Sequence, residues 1–413
     1  MNNRVDLQIL VPEQKSRYYG MTPLPDEITY SFAAHAALLT GASDLRPVAV
    51  ELFGSHSSFE YPAGRLHGGF QQLASHFVGF EEGGDVETLM NSLGFLLLFK
   101  PFLPDDQYST LRQLSCKSGA EGLGKAAGIK RAGLLRHYAA ICLDCLAYDK
   151  TTHHVGYYHR VHQVAAVTVC PQHGTKLLSN CPACGQRLPK IPDVSCRGCG
   201  CKLRLDDPVD NSSFEAHLRL ARFVEACFEE TMPIVDAASR LAVLRKRARE
   251  RISTRSGVVG DNLATHLNRT FGRDYLNSLG LATDTGKTIG WPSLVINGQA
   301  WKVEIGPQLL LIASLFDSVD DFREACLAHP RTENTQRLKP RRAQILWNKE
   351  IFFDLMRYGS VAEVAERHDV AEHLVQSWVD AYPGLDARLE RRYSRRLKMR
   401  RHKAKRRTTV PGR

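Results

Sequence analysis

The sequence predicts a mainly α protein of several domains, with small zinc-finger, zinc-ribbon-like β elements in its middle and helix-turn-helix units in its C-terminal half. Three observations predict it. Apolar residues at helical spacing, broken by Gly and Pro, fill residues 1–135 and return after Asp210. Paired cysteines crowd the stretch from Cys142 to Cys201, and strand-like runs are short, as in Val164 to Val169. The expected divisions are 1–135, an N-terminal helical domain; 136–209, a tandem zinc-finger region; 210–330, a second helical domain; 331–387, a helix-turn-helix domain; and 388–413, a basic tail.

In chain order, the first helix should follow Asp26-Glu27, with Ile28, Phe32, Leu38 and Leu39 on its apolar side and Gly41 as its stop. Others are expected at Gly69 to Phe77, Asp85 to Leu98 and Asp105 to Leu114. Beyond the cysteines, periodicity predicts helices at Glu215 to Glu230, Val235 to Arg251, Gly260 to Phe271, Arg273 to Leu279, Leu309 to Phe316 and Ile345 to Met356. No internal repeat of fixed period is evident, and low complexity is confined to the tail.

At 413 residues, 43% hydrophobic and 24% charged, the composition is that of a globular chain and excludes wholesale disorder, collagen and a coiled-coil rod. The longest apolar runs, Gly94 to Phe99 and Leu309 to Phe316, fall short of the ~18 residues that cross a bilayer, and the first ten residues lack a signal-peptide profile. A soluble intracellular chain with no membrane partner is expected. The net charge of +11 is uneven: Arg388 to Arg413 carries 13 Lys/Arg against one Glu, leaving 42 Lys/Arg against 43 Asp/Glu in the rest. Such a tail points to nucleic-acid phosphate.

Eleven cysteines in an intracellular chain of this length argue for metal ligands rather than a disulfide scaffold. Eight fall between Cys142 and Cys201, while Cys116, Cys227 and Cys326 are scattered and read as small buried hydrophobes. The pattern is Cys142-x2-Cys145, Cys170-x2-His173, Cys181-x2-Cys184 and Cys196-x2-Cys199. Zinc favours four S/N ligands in a tetrahedron, and each x2 pair can occupy one edge of it. Two zinc ions are therefore expected, one on Cys142, Cys145, Cys170 and His173 and the other on Cys181, Cys184, Cys196 and Cys199. Cys201 and His162 are spare candidates for either shell.

Both shells are filled by protein, which suits structural rather than catalytic zinc. A nucleobase-deaminase site fails because His-x-Glu occurs nowhere in the sequence. Gly280 to Thr288, GLATDTGKT, approaches a phosphate-binding loop but has five residues between its glycines where four are needed, and a helix is expected before it. No enzymatic activity is expected.

Ser360 is a candidate N-cap for VAEVAERH, with Glu363 completing a capping box. Asp369-Val370 would turn the chain into AEHLVQSWVDAY, the spacing of a helix-turn-helix with Val370, Val375 and Trp378 in its core. The second helix would offer Glu372, His373 and Gln376 to DNA or to a protein partner. In the tail, Arg391, Arg392, Arg395, Arg396, Lys398, Arg400, Arg401, Lys403, Lys405, Arg406 and Arg407 are candidate phosphate contacts. Nuclear localisation is the other common meaning of such a charge run. A second basic stretch, Arg240 to Arg255, reads either as a solvated helix face or, with the segment after it, as another small helix-turn-helix-like bundle.

Taken together, Gly156-Tyr-Tyr-His-Arg-Val-His-Gln163, Val169-Cys-Pro-Gln-His-Gly174 and Cys181-Pro-Ala-Cys-Gly185 resemble the TniQ/TnsD family of transposon target-selection proteins. Cys142-x2-Cys145, Pro23-Leu-Pro-Asp-Glu27, Leu52-Phe-Gly54, Trp291 and Pro307-x-Leu-Leu-Leu311 fit the same pattern, with Tyr158 where the family commonly has Trp. On this resemblance 1–135 corresponds to a TniQ domain and 210–330 to a TnsD-like domain. The resemblance implies a non-catalytic, DNA-binding adaptor that marks an insertion site and recruits a TnsC-like AAA+ ATPase regulator and, through it, the transposase. In one branch of the family the adaptor binds target DNA directly; in the other it rides, often as a homodimer, on an RNA-guided Cascade complex of CRISPR-associated transposons. The helices after Asp210 and the tail favour the direct branch. Outside the family, the competing expectation is a zinc-containing helix-turn-helix transcription regulator. A bacterial cytoplasmic, nucleoid-associated location follows from the resemblance.

Overall fold

The computed structural model describes residues 17–18, 21–56, 59, 65–77, 85–117, 123, 134–204, 213–252, 259–282, 290–300, 303–328, 355, 360–367, 372 and 375–376. The chain divides into two compact units, Met1–Arg331 and Thr332–Arg413. The described residues are mainly helical, and their extended pairing is limited to isolated antiparallel bridges. No helix among them is long and apolar enough to cross a membrane.

The first unit opens with α1 (Thr29–Leu39) and α2 (Leu45–Phe53). The helices expected from the sequence do not include α2. Here Pro47 lies in the first turn, where a missing N–H costs nothing, and the Asp44 side chain caps the helix by accepting the Arg46 N–H at 3.1 Å. Next come α3 (Phe70–Ser75), α4 (Val86–Leu93), α5 (Leu96–Phe99) and α6 (Asp105–Cys116). The single helix expected from Asp85 to Leu98 is thus two. Gly94 takes an extended conformation with ψ 174°, and its carbonyl turns out of the helix to accept from Arg160 Nη1 at 3.3 Å.

The cysteine segment holds one α-helix, α7 (Leu143–Thr152), and the short 3-10 turn Val161–Gln163. After it come α8 (Phe214–Phe228), α9 (Ala237–Arg251), α10 (Val259–Phe271), α11 (Arg273–Ser278), α12 (Trp291–Ile296), α13 (Ile305–Leu315) and α14 (Val319–Leu327). All residues of α13 are buried, and the helices around it satisfy its polar atoms: Arg219 donates to the Ala313 carbonyl at 2.7 Å and His266 Nε2 lies 2.9 Å from the Ser314 carbonyl. One apolar core runs from Tyr18 to Cys326, so the segments before, within and after the cysteines share their burial. That shared burial is the main stabilising force available to short helices.

The basic stretch of α9 is tied inward in part, while Lys246 and Arg249 are exposed on its outer face. Arg240 is buried, donates to the Pro101 carbonyl and stacks on Phe102. Arg245 donates to the Ile296 carbonyl at 2.7 Å, while Arg247 pairs with Asp321 and Arg251 with Asp317. These cations hold α12 and α14 in place. Between α10 and α11, Gly272 turns the chain at φ 83°, and Leu263, Leu267, Phe271 and Leu276 go into the core.

In the second unit, α15 (Val361–Arg367) begins where expected, with Ser360 Oγ accepting the Glu363 N–H at 3.3 Å. Val364, Ala365 and Val375 are buried, and Glu372, Val375 and Gln376 are helical. The turn at Asp369-Val370 and the packing of Trp378 lie outside the described residues.

Candidate metal centres

Cys142 is the N-cap residue of α7 and Cys145 lies in its first turn, so the helix presents both thiols at its positive end. Facing them is a tight turn, Cys170-Pro-Gln-His173-Gly174. The Gly174 N–H returns to the Cys170 carbonyl at 2.9 Å, the Cys170 N–H donates to the Thr175 carbonyl at 2.8 Å, and Gly174 sits at φ 67°. His173 Nδ1 lies 3.6, 3.3 and 3.5 Å from the sulfurs of Cys142, Cys145 and Cys170, and Cys145 and Cys170 are 3.6 Å apart. Zinc–thiolate bonds of about 2.3 Å at tetrahedral angles set ligand atoms about 3.8 Å apart, whereas a disulfide needs about 2.05 Å. The four atoms thus outline a tetrahedron around one cation.

The second set is two copies of that turn, Cys181-Pro-Ala-Cys184-Gly185 and Cys196-Arg-Gly-Cys199-Gly200. Gly185 and Gly200 donate to the carbonyls of Cys181 and Cys196 at 2.8 Å each, with φ 70° and 71°. The Cys184 and Cys196 sulfurs are 3.5 Å apart and those of Cys181 and Cys199 3.8 Å. The ligand atoms within each set all lie within 4.8 Å of one another, and the sets are the sequential ones. Cys201 also lies here, its sulfur 3.4 Å from Cys181 and 3.1 Å from Cys199. His162 belongs to neither set; it is buried against the His159 ring at 5.1 Å, and burial pushes its pKa well below the usual histidine value.

The chemistry of the donors fits a bound cation. In the first set the hydrogen bonds from Cys145 and Cys170 hold Cys142 far below the ordinary thiol range, and the same contacts push Cys145 and Cys170 above it. Several thiolates this close cannot ionise together without a neutralising charge. These residues could hold two metal ions.

Superposing the turns by register exposes a repeat hidden by unequal spacing: Cys170-PQHGTK-Leu177, Cys181-PACGQR-Leu188 and Cys196-RGCGCK-Leu203. Each closes through one antiparallel bridge, Val169 to Lys176, Asn180 to Arg187 and Ser195 to Lys202, so a cation occupies the same exposed position in all three. Sequence reasoning misses these cations because the repeat has no fixed period and the cations form no charge run. Lys176, Arg197, Lys202 and Arg204 are exposed and form no ion pair with a described residue.

The first centre is anchored to α1 by a buried polar network. The backbone N–H of Arg160 donates to the Asp26 carbonyl at 2.7 Å, that of Ile28 to the Tyr158 carbonyl at 3.0 Å, and that of Tyr158 to Ser31 Oγ at 2.9 Å. His159 Nε2 meets the buried Asp149 carboxylate of α7 at 2.9 Å. The Gln163 amide bonds both the N–H and the carbonyl of Ala140, each at 2.9 Å. Gly156 is required: a Cβ there would lie 2.7 Å from the Pro192 carbonyl oxygen and 2.4 Å from Leu146. The TniQ family model matches residues 19–177, from just before Asp26 to just past the Cys170 to Gly174 turn. This segment is a TniQ domain. The TniQ domain points to a role in transposition. It contains the whole first metal set and the network just described, while the second set follows it. No curated protein matches the chain.

Of the residues expected to meet DNA, Glu372 and Gln376 are exposed on a helical segment. His373 and the tail residues Arg391 to Arg407 lie outside the described residues, as do positions 283–288 of the near-match to a phosphate loop. The segment before that loop is helix α11, not a strand.

Proposed function

We propose that this chain is a DNA-binding target-site selection protein of a transposon, which marks the insertion site and recruits an AAA+ ATPase regulator and the transposase, with two structural zinc ions holding its scaffold. The observation that carries this reading is the TniQ domain over residues 19–177, whose own motif residues are spent on building the scaffold around the first metal centre. Those residues are buried and mutually bonded, which suits a protein that binds rather than one that turns over a substrate. Thiolate-rich, four-ligand shells favour zinc and leave no open position for catalysis. Contact with DNA is supported by the repeated cations Lys176, Arg187 and Lys202, and by the basic tail. Direct recognition by Glu372, His373 and Gln376 completes the reading. The test is copurification with a candidate AAA+ ATPase followed by DNA footprinting of the purified chain. A protected segment that persists without guide RNA supports direct targeting; protection that requires an RNA-guided complex replaces it with the other branch.

A further inference from the structure

The second centre contains one thiol more than a tetrahedral ion can use. Cys181, Cys184, Cys196 and Cys199 enclose a cation site, yet Cys201 stands at its edge, 3.4 Å from Cys181 and 3.1 Å from Cys199. Two ligands of one zinc should be about 3.8 Å apart, the separation of Cys181 from Cys199. The 3.1 Å gap between Cys199 and Cys201 is too short for two corners of the same tetrahedron, and it fits two side chains competing for one corner. The backbone holds Cys201 there: its carbonyl accepts the Cys196 N–H at 2.8 Å, closing the turn. The equivalent residue of the first turn, Thr175, reaches across to Asp144 beside Cys142, so this register position points at the facing half of a metal site.

We propose that Cys201 is an exchanging fifth thiol of the second centre, able to take the coordination position of Cys199. The proposal rests on the zinc reading above. In the exchange the Cys201 thiol loses its proton as its sulfur bonds the metal, and the departing Cys199 thiolate takes up a proton as its bond breaks. Charge and thiolate number at the ion are unchanged, and no oxidant or reductant is involved. Cys184 and Cys199 are both exposed while Cys181 and Cys196 are buried, so the exchange takes place on the outer edge of the centre. The first centre has no such spare: Thr175 occupies the matching position.

The test uses the full chain reconstituted with cobalt(II), whose thiolate charge-transfer absorbance reports the number of metal–sulfur bonds, alongside zinc analysis of the protein as purified. Wild type should show two metal ions and the absorbance of seven thiolate bonds, three from the first set and four from the second. Cys199→Ser and Cys201→Ser should each keep that absorbance and two zinc ions. Cys184→Ser and the double variant Cys199→Ser/Cys201→Ser should lose one thiolate's share of the absorbance, or the second ion altogether. If Cys199→Ser or Cys201→Ser alone falls to the Cys184→Ser level, or if the double variant matches wild type, the exchange is overturned. A wild-type value of zero or one metal ion would sink the zinc reading itself, and the exchange with it, before any variant is compared.

Discussion

Asp26 and Arg160, 134 residues apart in sequence, are joined by a hydrogen bond of 2.9 Å from Arg160 Nε to Asp26 Oδ1. The second carboxylate oxygen of Asp26 accepts the Val161 N–H at 3.2 Å. The same guanidinium donates to the carbonyls of Asn91 and Gly94 at the end of α4 and lies 4.9 Å from the Phe228 ring of α8. One side chain thus joins the start of the TniQ domain, its middle helices and the first helix beyond the cysteines. Arg160→Met keeps the bulk but takes the cation from Asp26 and a donor from two carbonyls, and should cost about 3 kcal/mol of stability. Urea unfolding checks it: the midpoint should fall while Arg323→Met, in an exposed pair with Asp320, leaves it nearly unchanged. Equal midpoints for the two variants would remove Arg160 from this role.

That hub shows which parts of the molecule could be read in sequence. Cysteine spacing carries its own geometry, so the metal sets and their partition were legible from Cys142 to Cys199. The long amphipathic helices were legible too, to within a few residues at Val235 to Arg251 and Glu215 to Glu230. What was hidden depends on distant partners. Gly94 ends a helix where its carbonyl turns to accept from Arg160, and the spacing of the α9 arginines carries no hint that Asp317, Asp321 and the Ile296 carbonyl lie beside three of them. The spacing of Gly156 to Gln163 carries no hint that Gln163 bonds Ala140 or that Tyr158 reaches the Pro189 carbonyl at 2.6 Å.

Metal removal should separate the two centres. The first is gripped by α7 and by a turn packed against the core, and Cys142, Cys145 and Cys170 are buried. Cys170→Ser should lower bound zinc from about two to about one per chain and loosen the segment from Cys142 to Arg204, since structural zinc contributes on the order of 10 kcal/mol to such units. Protease cleavage within that segment reports the loosening. Two zinc ions retained in Cys170→Ser would reject the assignment of the first set.

The His35 ring should make part of the fold pH-dependent. Burial acts to lower its pKa, but the hydrogen bond and charge of Glu27, 2.8 Å from Nδ1, outweigh burial and raise it above the ordinary 6.5. A raised histidine pKa means that the folded state holds the proton more tightly. Its stabilising contribution is therefore complete below the unfolded value and is lost as pH rises through the folded value. Glu27→Gln should shift the His35 titration, followed by NMR, to lower pH. It should also flatten the fall in stability from just below pH 6.5 upward, relative to wild type. His67, His162 and His217 are lowered by burial and titrate the other way in both proteins, so the comparison cancels them. A His35 titration unmoved by Glu27→Gln would show that the pair is not coupled.

Two groups of cations are proposed to meet phosphate, and salt dependence can tell them apart. Each phosphate that the protein no longer neutralises lowers the slope of log K against log salt by about 0.9 on duplex DNA. Replacing Lys176, Arg187 and Lys202 together by Ala removes at most three such pairings, a slope change of up to about 2.7. All three are exposed on the turns rather than ligands, so bound metal should stay at the wild-type value. Deleting Arg388 to Arg413 removes 13 Lys/Arg, and about six or more phosphate pairings there would change the slope by about 5 or more. Both changes should act alike on specific and nonspecific DNA, because phosphates carry no sequence. His373→Ala and Gln376→Ala should do the reverse, altering preference between sites while leaving the slope nearly constant. A slope untouched by the tail deletion but reduced by the triple replacement would move the phosphate clamp from the tail to the metal turns. A slope untouched by both would leave the tail as a docking segment for a protein partner, with the DNA held elsewhere.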